Sequence, residues 1–316
     1  MTVHTSITPG KRLPQKPRIA VVGASGLVGQ MVLEILAQRQ FPHTSLTEYS
    51  ARNDGSAAAA NADLVFLAAP SESALKHAPL LAAAGCIVID LSPAWRLDPQ
   101  VPLIIPELNG AQLANHHGMV ASPNCTNVPL AMVLAALQAK ATLEQVLVTT
   151  IQAASGAGRE GLAALQGDAR AFGQSLASNL IPQCDVFGTD GSTAEELRIQ
   201  TETQRLLATP NLAITATCVR APTEIGHALS VVVRSQENFS VADAAACLEA
   251  MPGIQAYATS GRPSLQDCVG NDEVHVGRLR QGSASNELHL WVVCDNLRKG
   301  AATNAVQIAE LLLPSS

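Results

Sequence analysis

Aromatic residues make up only 3 % of this 316-residue chain, and charged residues only 15 %. No apolar run reaches the ~20 residues that a membrane-spanning helix needs. The longest, Leu64–Pro70 and Leu80–Leu91, are short and interrupted. Basic residues are not in excess either: 20 Lys plus Arg against 26 Asp plus Glu leave a net charge of −6. That balance argues against a nucleic-acid partner, whose binding face is basic. The seven cysteines include no C-x-x-C pair, which speaks against a zinc ribbon or a dithiol motif. Odd in number and irregularly spaced, they read as thiols of a reduced, cytoplasmic protein. Residues 1–17 lack the apolar core of a signal peptide and, with Pro9, Pro14 and Pro17, read as a flexible tail. What the chain does have is an apolar fraction of 47 %, ordinary for a globular core, and a length for two domains at roughly 100–200 residues each. So little charge on a soluble chain points to surface hidden in a homo-oligomer.

The first third alternates apolar runs of β-branched residues with stretches of helical spacing. Strands are expected at Arg18–Val22, Thr44–Ser50, Asp63–Ala68 and Cys86–Leu91, with helices from Met31 and over Glu72–Ala84. This is the signature of βαβ units and a parallel sheet. From Thr126 onward the texture becomes α+β. Helices are expected over Thr126–Lys140, Glu160–Leu176, Ser192–Leu207, Val241–Met251 and Gly300–Leu313. Strands are expected at Gln145–Ile151, Leu212–Arg220, His227–Arg234 and Leu288–Cys294.

The segment Gly23-Ala24-Ser25-Gly26-Leu27-Val28-Gly29 lies between the first strand and the first helix. Glycines there let the backbone turn tightly and approach a pyrophosphate, whose charge rests on a helix N-terminus. The spacing departs from G-x-G-x-x-G, so position carries the reading. The second strand runs into Tyr49-Ser50-Ala51-Arg52, with no acidic residue at its end to hold a ribose 2′-hydroxyl. A guanidinium at Arg52 suits a 2′-phosphate, which favours NADP over NAD.

Cys125 follows a Pro-Asn turn and precedes an apolar helix. A helix N-terminus favours the thiolate, and its N–H groups suit an oxyanion. His227 lies in Arg220-Ala-Pro-Thr-Glu-Ile-Gly-His227 between two expected strands. An arginine and a histidine flanking a Pro/Gly loop make an anion clamp and a base. His116 and His117 read as solvated, and His275 and His289 as structural.

Several strings, in order from residue 18 to residue 310, resemble the aspartate-β-semialdehyde dehydrogenases. They are Gly23–Gly29, Pro123-Asn-Cys-Thr126, Ile151-Gln-Ala-Ala-Ser-Gly-Ala-Gly158, Asn179-Leu-Ile-Pro-Gln183, Glu195-Glu-Leu-Arg198, Arg220 with His227, Val276-Gly-Arg-Leu-Arg280 and Asp295–Glu310. The N-acetyl-γ-glutamyl-phosphate reductases share the fold and chemistry, but their cysteine motif and C-terminus look different. The resemblance implies an α/β architecture. A Rossmann-type dinucleotide-binding domain (18–124 plus 299–316) joins an α+β catalytic and dimerisation domain (125–298). It implies reductive dephosphorylation of β-aspartyl phosphate through a thioester on Cys125. His227 is the matching acid/base residue, and Gln152 orients the intermediate. Arg220 grips the substrate carboxylate and Glu195 lies near its amine. Arg96 and Asn124 hold phosphate, and Arg198 stands where the family usually has lysine. Ser155, Gly156 and Asn296 join Gly23–Gly29, Ser50 and Arg52 at the cofactor. A homodimer or homotetramer is implied. The stretches 53–62 and 158–181 are shorter than the family's. A sister enzyme for another acyl phosphate or semialdehyde, or a catalytically silent homologue acting as a binding protein, are the alternatives.

Overall fold

The computed structural model describes residues 10–50, 59–258 and 260–314. Arg52, the shortened stretch up to residue 58 and the first nine residues of the expected tail lie outside them. The chain divides into two units: the residues up to Asn124 with those from Ala301, and Cys125–Gly300.

The first unit is built on strands β1 (Arg18–Val22), β2 (Ser45–Tyr49), β3 (Leu64–Leu67), β4 (Ile87–Asp90) and β5 (Met119–Ala121). All pair in parallel, in the order β2-β1-β3-β4-β5. β3 and β4 are buried along their whole length, as strands covered on both faces must be. Helices α1 (Leu27–Gln38), α2 (Ser71–Ala83) and the short α3 (Pro106–Asn109) connect them. The chain steps outward from β1 to β2 and then returns to β3 on the other side. The β1/β3 boundary is therefore the switch point at which open α/β sheets bind ligands, beyond the strands' carboxyl ends. The last helix, α8 (Thr303–Leu312), closes this unit. Its Ala305, Val306, Ile308 and Leu312 join the core of Ile19, Val32, Ile35 and Phe66. Buried Asn304 donates to Ile104 O and to Ser122 Oγ, each at 3.0 Å.

The second unit is a six-stranded mixed sheet. Its strands are β6 (Leu143–Gln152), β7 (Ala213–Arg220), β8 (His227–Ser235), β9 (Ile254–Ala256), β10 (Val274–Gln281) and β11 (Glu287–Cys294). The order is β7-β6-β8-β11-β10-β9. Helix α4 (Asn127–Gln138) has ten of its residues buried. It packs against β11, α6 (Ala194–Leu206) and α7 (Val241–Ala250). The even apolarity of α4 is thus the mark of a helix enclosed on several sides. Among the described residues no helix is long and apolar enough to cross a membrane.

Three expectations are corrected. Residues 10–17 are docked rather than loose: Leu13 is buried in the first core, and its N–H donates to Leu312 O at 2.8 Å. His116 is not solvated but fully buried, its Nδ1 accepting from Gly118 N–H and its Nε2 lying 2.8 Å from Lys11 O. The docked segment covers it. The helix expected over 160–176 ends early, as α5 (Gly158–Ala164). Gly167 and Gly173, both at positive φ, belong to turns beyond it.

Candidate active site

In the first unit the glycine loop follows β1 at the carboxyl end of the sheet. Gly23 takes φ +89°, and a Cβ there would meet Ala68 O at 2.0 Å. A Cβ on Gly29 would meet Gly23 O at 2.2 Å. Only glycine fits either place. Gly26 is the N-cap of α1, no side chain caps the helix, and its first turn carries no acid. The helix therefore begins at Leu27, four residues earlier than its apolar spacing indicated. A turn this tight, feeding an uncapped helix N-terminus, suits a pyrophosphate. Ala24, Ser25, Leu27 and Val28 belong to it, and Ser50 directly follows β2.

Arg96 and Asn124 also belong to this unit, and both are buried. Arg96 Nε donates to Ser122 O and Nη2 to Leu91 O, each at 2.9 Å. Nearby Asp90 is buried and accepts from Ser92 N–H and Oγ–H. Burial pushes its carboxyl up to about 6, against the hydrogen bonds from Ser92 and the charge of Arg96.

The second unit brings together six of the expected residues. Cys125 stands just before α4, and its Sγ lies 3.3 Å from Nε2 of His227, the first residue of β8. His227 is fully buried. Its Nδ1 accepts from the Ala153 N–H at 3.0 Å. Burial first, and the charge of Arg220 second, hold its imidazole down to about 3. The other six cysteines are all shifted the opposite way from a reactive thiol. Burial raises each of them, Cys184 and Cys268 to about 12.

Gln152 ends β6 opposite Arg220, which ends β7, in parallel register. The two strands therefore deliver an amide and a guanidinium to one edge. Gln152 Nε2 donates to Thr150 Oγ1 and to Glu195 Oε1, each at 3.2 Å. Glu195 sits in the first turn of α6, set there by a capping box between Thr193 and Glu196. Its other oxygen accepts from Arg198 Nη2 at 3.1 Å, and Arg198 also pairs with Asp185. Buried Arg220 donates from Nη1 to Ala153 O at 2.7 Å and lies over the Phe172 ring at 5.6 Å. Its Nε is buried without a partner. An orphaned N–H on a guanidinium is costly unless something fills it, and a carboxylate is the matching acceptor.

Ser155, Gly156 and Asn296 stand beside this cluster. Asn296 Nδ2 donates to Ser155 Oγ at 3.0 Å, and its Oδ1 accepts from Gly226 N–H at 2.8 Å. They brace the loop that presents His227. Sequence reasoning missed Asp185, Phe172 and above all Ala153, which contributes only its backbone. A main-chain amide leaves no side-chain signal to find.

Two family models match the chain: Semialdehyde dehydrogenase, NAD binding domain, over residues 46–116, and Semialdehyde dehydrogenase, dimerisation domain, over residues 134–299. The chain is 36 % identical to the aspartate-semialdehyde dehydrogenase of Aquifex aeolicus (strain VF5), across 94 % of this chain and 98 % of that one. That alignment runs over 332 residues, more than this chain's 316, so the chain lacks residues its relative has. The crystal structure of aspartate semialdehyde dehydrogenase II complexed with ASA, from Vibrio cholerae, matches with a TM-score of 0.88 at 34 % identity. It is covered to 98 %, and this chain to 94 %. Aspartate semialdehyde dehydrogenase with NADP from Candida albicans, 20 % identical with a TM-score of 0.75 over 94 % of this chain and 98 % of that one, shares the fold.

Proposed function

The chain belongs to the semialdehyde dehydrogenase family, and from that premise we propose that it is an aspartate-semialdehyde dehydrogenase working with NADP through a thioester on Cys125. The observation that carries this reading is the pair Cys125 Sγ and His227 Nε2, 3.3 Å apart at the start of a helix. Buried Arg220 with its unpartnered Nε supports it.

The chemistry divides among the chain's own groups. Cys125 sulfur attacks the carbonyl carbon of β-aspartyl phosphate, the bond from carbon to the phosphate oxygen breaks, and the acyl group stays on sulfur. What the nicotinamide supplies when bound is a hydride. After that transfer the thiohemiacetal oxygen re-forms its double bond, and the Cys125 sulfur leaves as thiolate. Arg220 receives the substrate carboxylate in its fork, a geometry lysine lacks. Glu195, held by Gln152 and Arg198, offers a carboxylate to the substrate amine, and Arg96 and Asn124 receive phosphate. The glycine loop Gly23–Gly29 holds the pyrophosphate of NADP, with Ser50 beside it and Arg52 on the 2′-phosphate. Ser155, Gly156 and Asn296 meet the nicotinamide end.

All seven cysteines are free, which suits a reduced cytoplasm, and the family's dimerisation domain supports a homodimer, on which a homotetramer could build. The shortened stretches favour one second reading, a sister enzyme for a different semialdehyde. The test is NADPH formation from aspartate semialdehyde plus phosphate, run beside longer homologues. Cys125→Ser should lose turnover and keep NADP binding; full turnover in that variant overturns the mechanism. Higher kcat/KM for a longer homologue selects the sister reading. Arg52→Ala should weaken NADP far more than NAD, and equal losses remove the 2′-phosphate assignment.

A further inference from the structure

Cys125 and His227 stand at the starts of different elements, α4 and β8, 102 residues apart, yet their side chains meet at 3.3 Å. One short turn, Asp295–Gly300, reaches both of them. It begins where β11 ends, and the last residue of that strand, Cys294, pairs with His227. On the histidine side, Asn296 Oδ1 accepts from the Gly226 N–H at 2.8 Å, directly before His227. On the cysteine side, Gly300 lies against Cys125. A Cβ built on Gly300 would stand 3.1 Å from both the Cβ and the carbonyl oxygen of Cys125, and 3.3 Å from its Cα. Carbon atoms in contact prefer about 3.5–4.0 Å, so position 300 has room for a hydrogen and not for a methyl group.

The turn itself is held firmly. Asp295 is buried, and its Oδ1 accepts from the N–H groups of Leu297 at 2.9 Å and Arg298 at 3.0 Å. Its Oδ2 accepts from Gly270 N–H at 2.9 Å. Arg298 Nε donates to Asp272 Oδ1 at 2.9 Å, so the loop that holds Gly270 is tied to the turn at a second place. The Gly300 N–H donates to Asp295 O, five residues back, at 3.0 Å. That wide ring opens a π turn over Arg298–Ala302, a rare backbone form that recurs at functional sites. We propose that the Asp295–Gly300 turn is the gauge that sets the distance between Cys125 and His227, with Gly300 and Asp295 as positioning residues. Both act through other residues. Gly300 fixes how closely the Cys125 backbone seats, and Asp295 fixes the turn that carries Gly300 and Asn296. This rests on the reading of Cys125 as nucleophile and His227 as its acid/base partner. Proton transfer between sulfur and ring nitrogen needs hydrogen-bond reach, so the gauge governs the chemical step and leaves the carboxylate clamp at Arg220 alone.

The test is Gly300→Ala in the full chain. With the turn anchored, the Cys125 backbone is what yields, and a crystal structure of the variant should show Sγ and Nε2 clearly farther apart than 3.3 Å. kcat with aspartate semialdehyde should fall roughly tenfold, on the scale at which 1 Å of misplacement costs about 100-fold. KM and the Kd for NADP should stay unchanged. Alkylation of Cys125 by iodoacetamide, followed on its peptide by mass spectrometry, should slow as well, because a thiol withdrawn from its base is less reactive. An unchanged distance between sulfur and nitrogen, or a raised KM with kcat intact, overturns the proposal. If alanine at position 300 prevents folding, Asp295→Asn carries the test. It keeps the size of the side chain but turns at least one of the three N–H groups toward an amide N–H2 in place of an acceptor. The same split is expected there, a lower kcat at unchanged KM with slower alkylation; unaltered kcat and alkylation overturn the proposal. Failure of aspartate semialdehyde as substrate would instead strike the functional reading, while the distance and the alkylation rate still decide the role of the turn.

Discussion

Arg220 and Gly156 share one volume: a Cβ built on Gly156 would stand 2.7 Å from Arg220 Nη1 and 3.2 Å from His227 Cε1. The absence of a side chain at Gly156 is what lets the guanidinium reach Ala153 O. Gly156→Ala should therefore displace Arg220 and His227 while leaving the fold intact, because the colliding atom is the far end of a side chain. The expected result is a raised KM for aspartate semialdehyde and a reduced kcat, with a melting temperature close to that of the unchanged protein. Unchanged steady-state constants would show that the pair tolerates the methyl group.

Arg220→Lys keeps the charge and loses the fork. A hydrogen bond to a charged group is worth about 1.5–3 kcal/mol, so KM for aspartate semialdehyde should rise roughly 10- to 150-fold. The change in kcat should be smaller. A KM within twofold of the original, about the noise of such comparisons, removes Arg220 as the carboxylate clamp.

Glu195 and Arg198 depend on the first turn of α6. Thr193 Oγ1 accepts from Glu196 N–H at 3.3 Å, and Glu196 Oε2 accepts from Thr193 N–H at 2.7 Å. Thr193→Ala removes one half of this box and should cost about 1 kcal/mol in urea unfolding. Thr193→Ser should restore most of it. An unaltered unfolding midpoint in the alanine variant would show the cap to be without weight.

Asp90 gives a pH dependence of defined sign. Its carboxyl is raised in the folded protein to about 6, whereas in the unfolded chain it titrates near an ordinary ~3.9. Between these values the folded state holds the extra proton. Its stabilisation is complete below about pH 4 and is lost as the pH rises through 6, by an amount of order 2–3 kcal/mol. Asp90→Asn should flatten that part of the curve of unfolding free energy against pH. An identical slope in both proteins assigns the dependence elsewhere.

The periodicity of the chain made most of the fold legible. Strands β1, β3 and β4 lie within a residue or two of where β-branched runs place them, because buried parallel strands must be apolar throughout. Gly23 and Cys125 were legible for a related reason: the loop and the helix start that each needs are local. The stretch after Ala164 was not, since its alanines and glutamines suit a helix and only the turns at Gly167 and Gly173 break it. His116 looked solvated because nothing in its neighbourhood reveals that residues 10–17 lie across it.

By itself the amino-acid sequence determined which elements form, where the tight glycine loop stands and which cysteine begins a helix, all matters settled within a few residues of chain. The tertiary structure decided what those residues meet. It set Cys125 against His227 across 102 residues and Gln152 beside Arg220 through strand register. It also put the Ala153 amide on His227 Nδ1. Those contacts arise from sheet pairing between distant segments. A backbone N–H that meets a ring nitrogen has no residue type of its own by which a sequence could announce it.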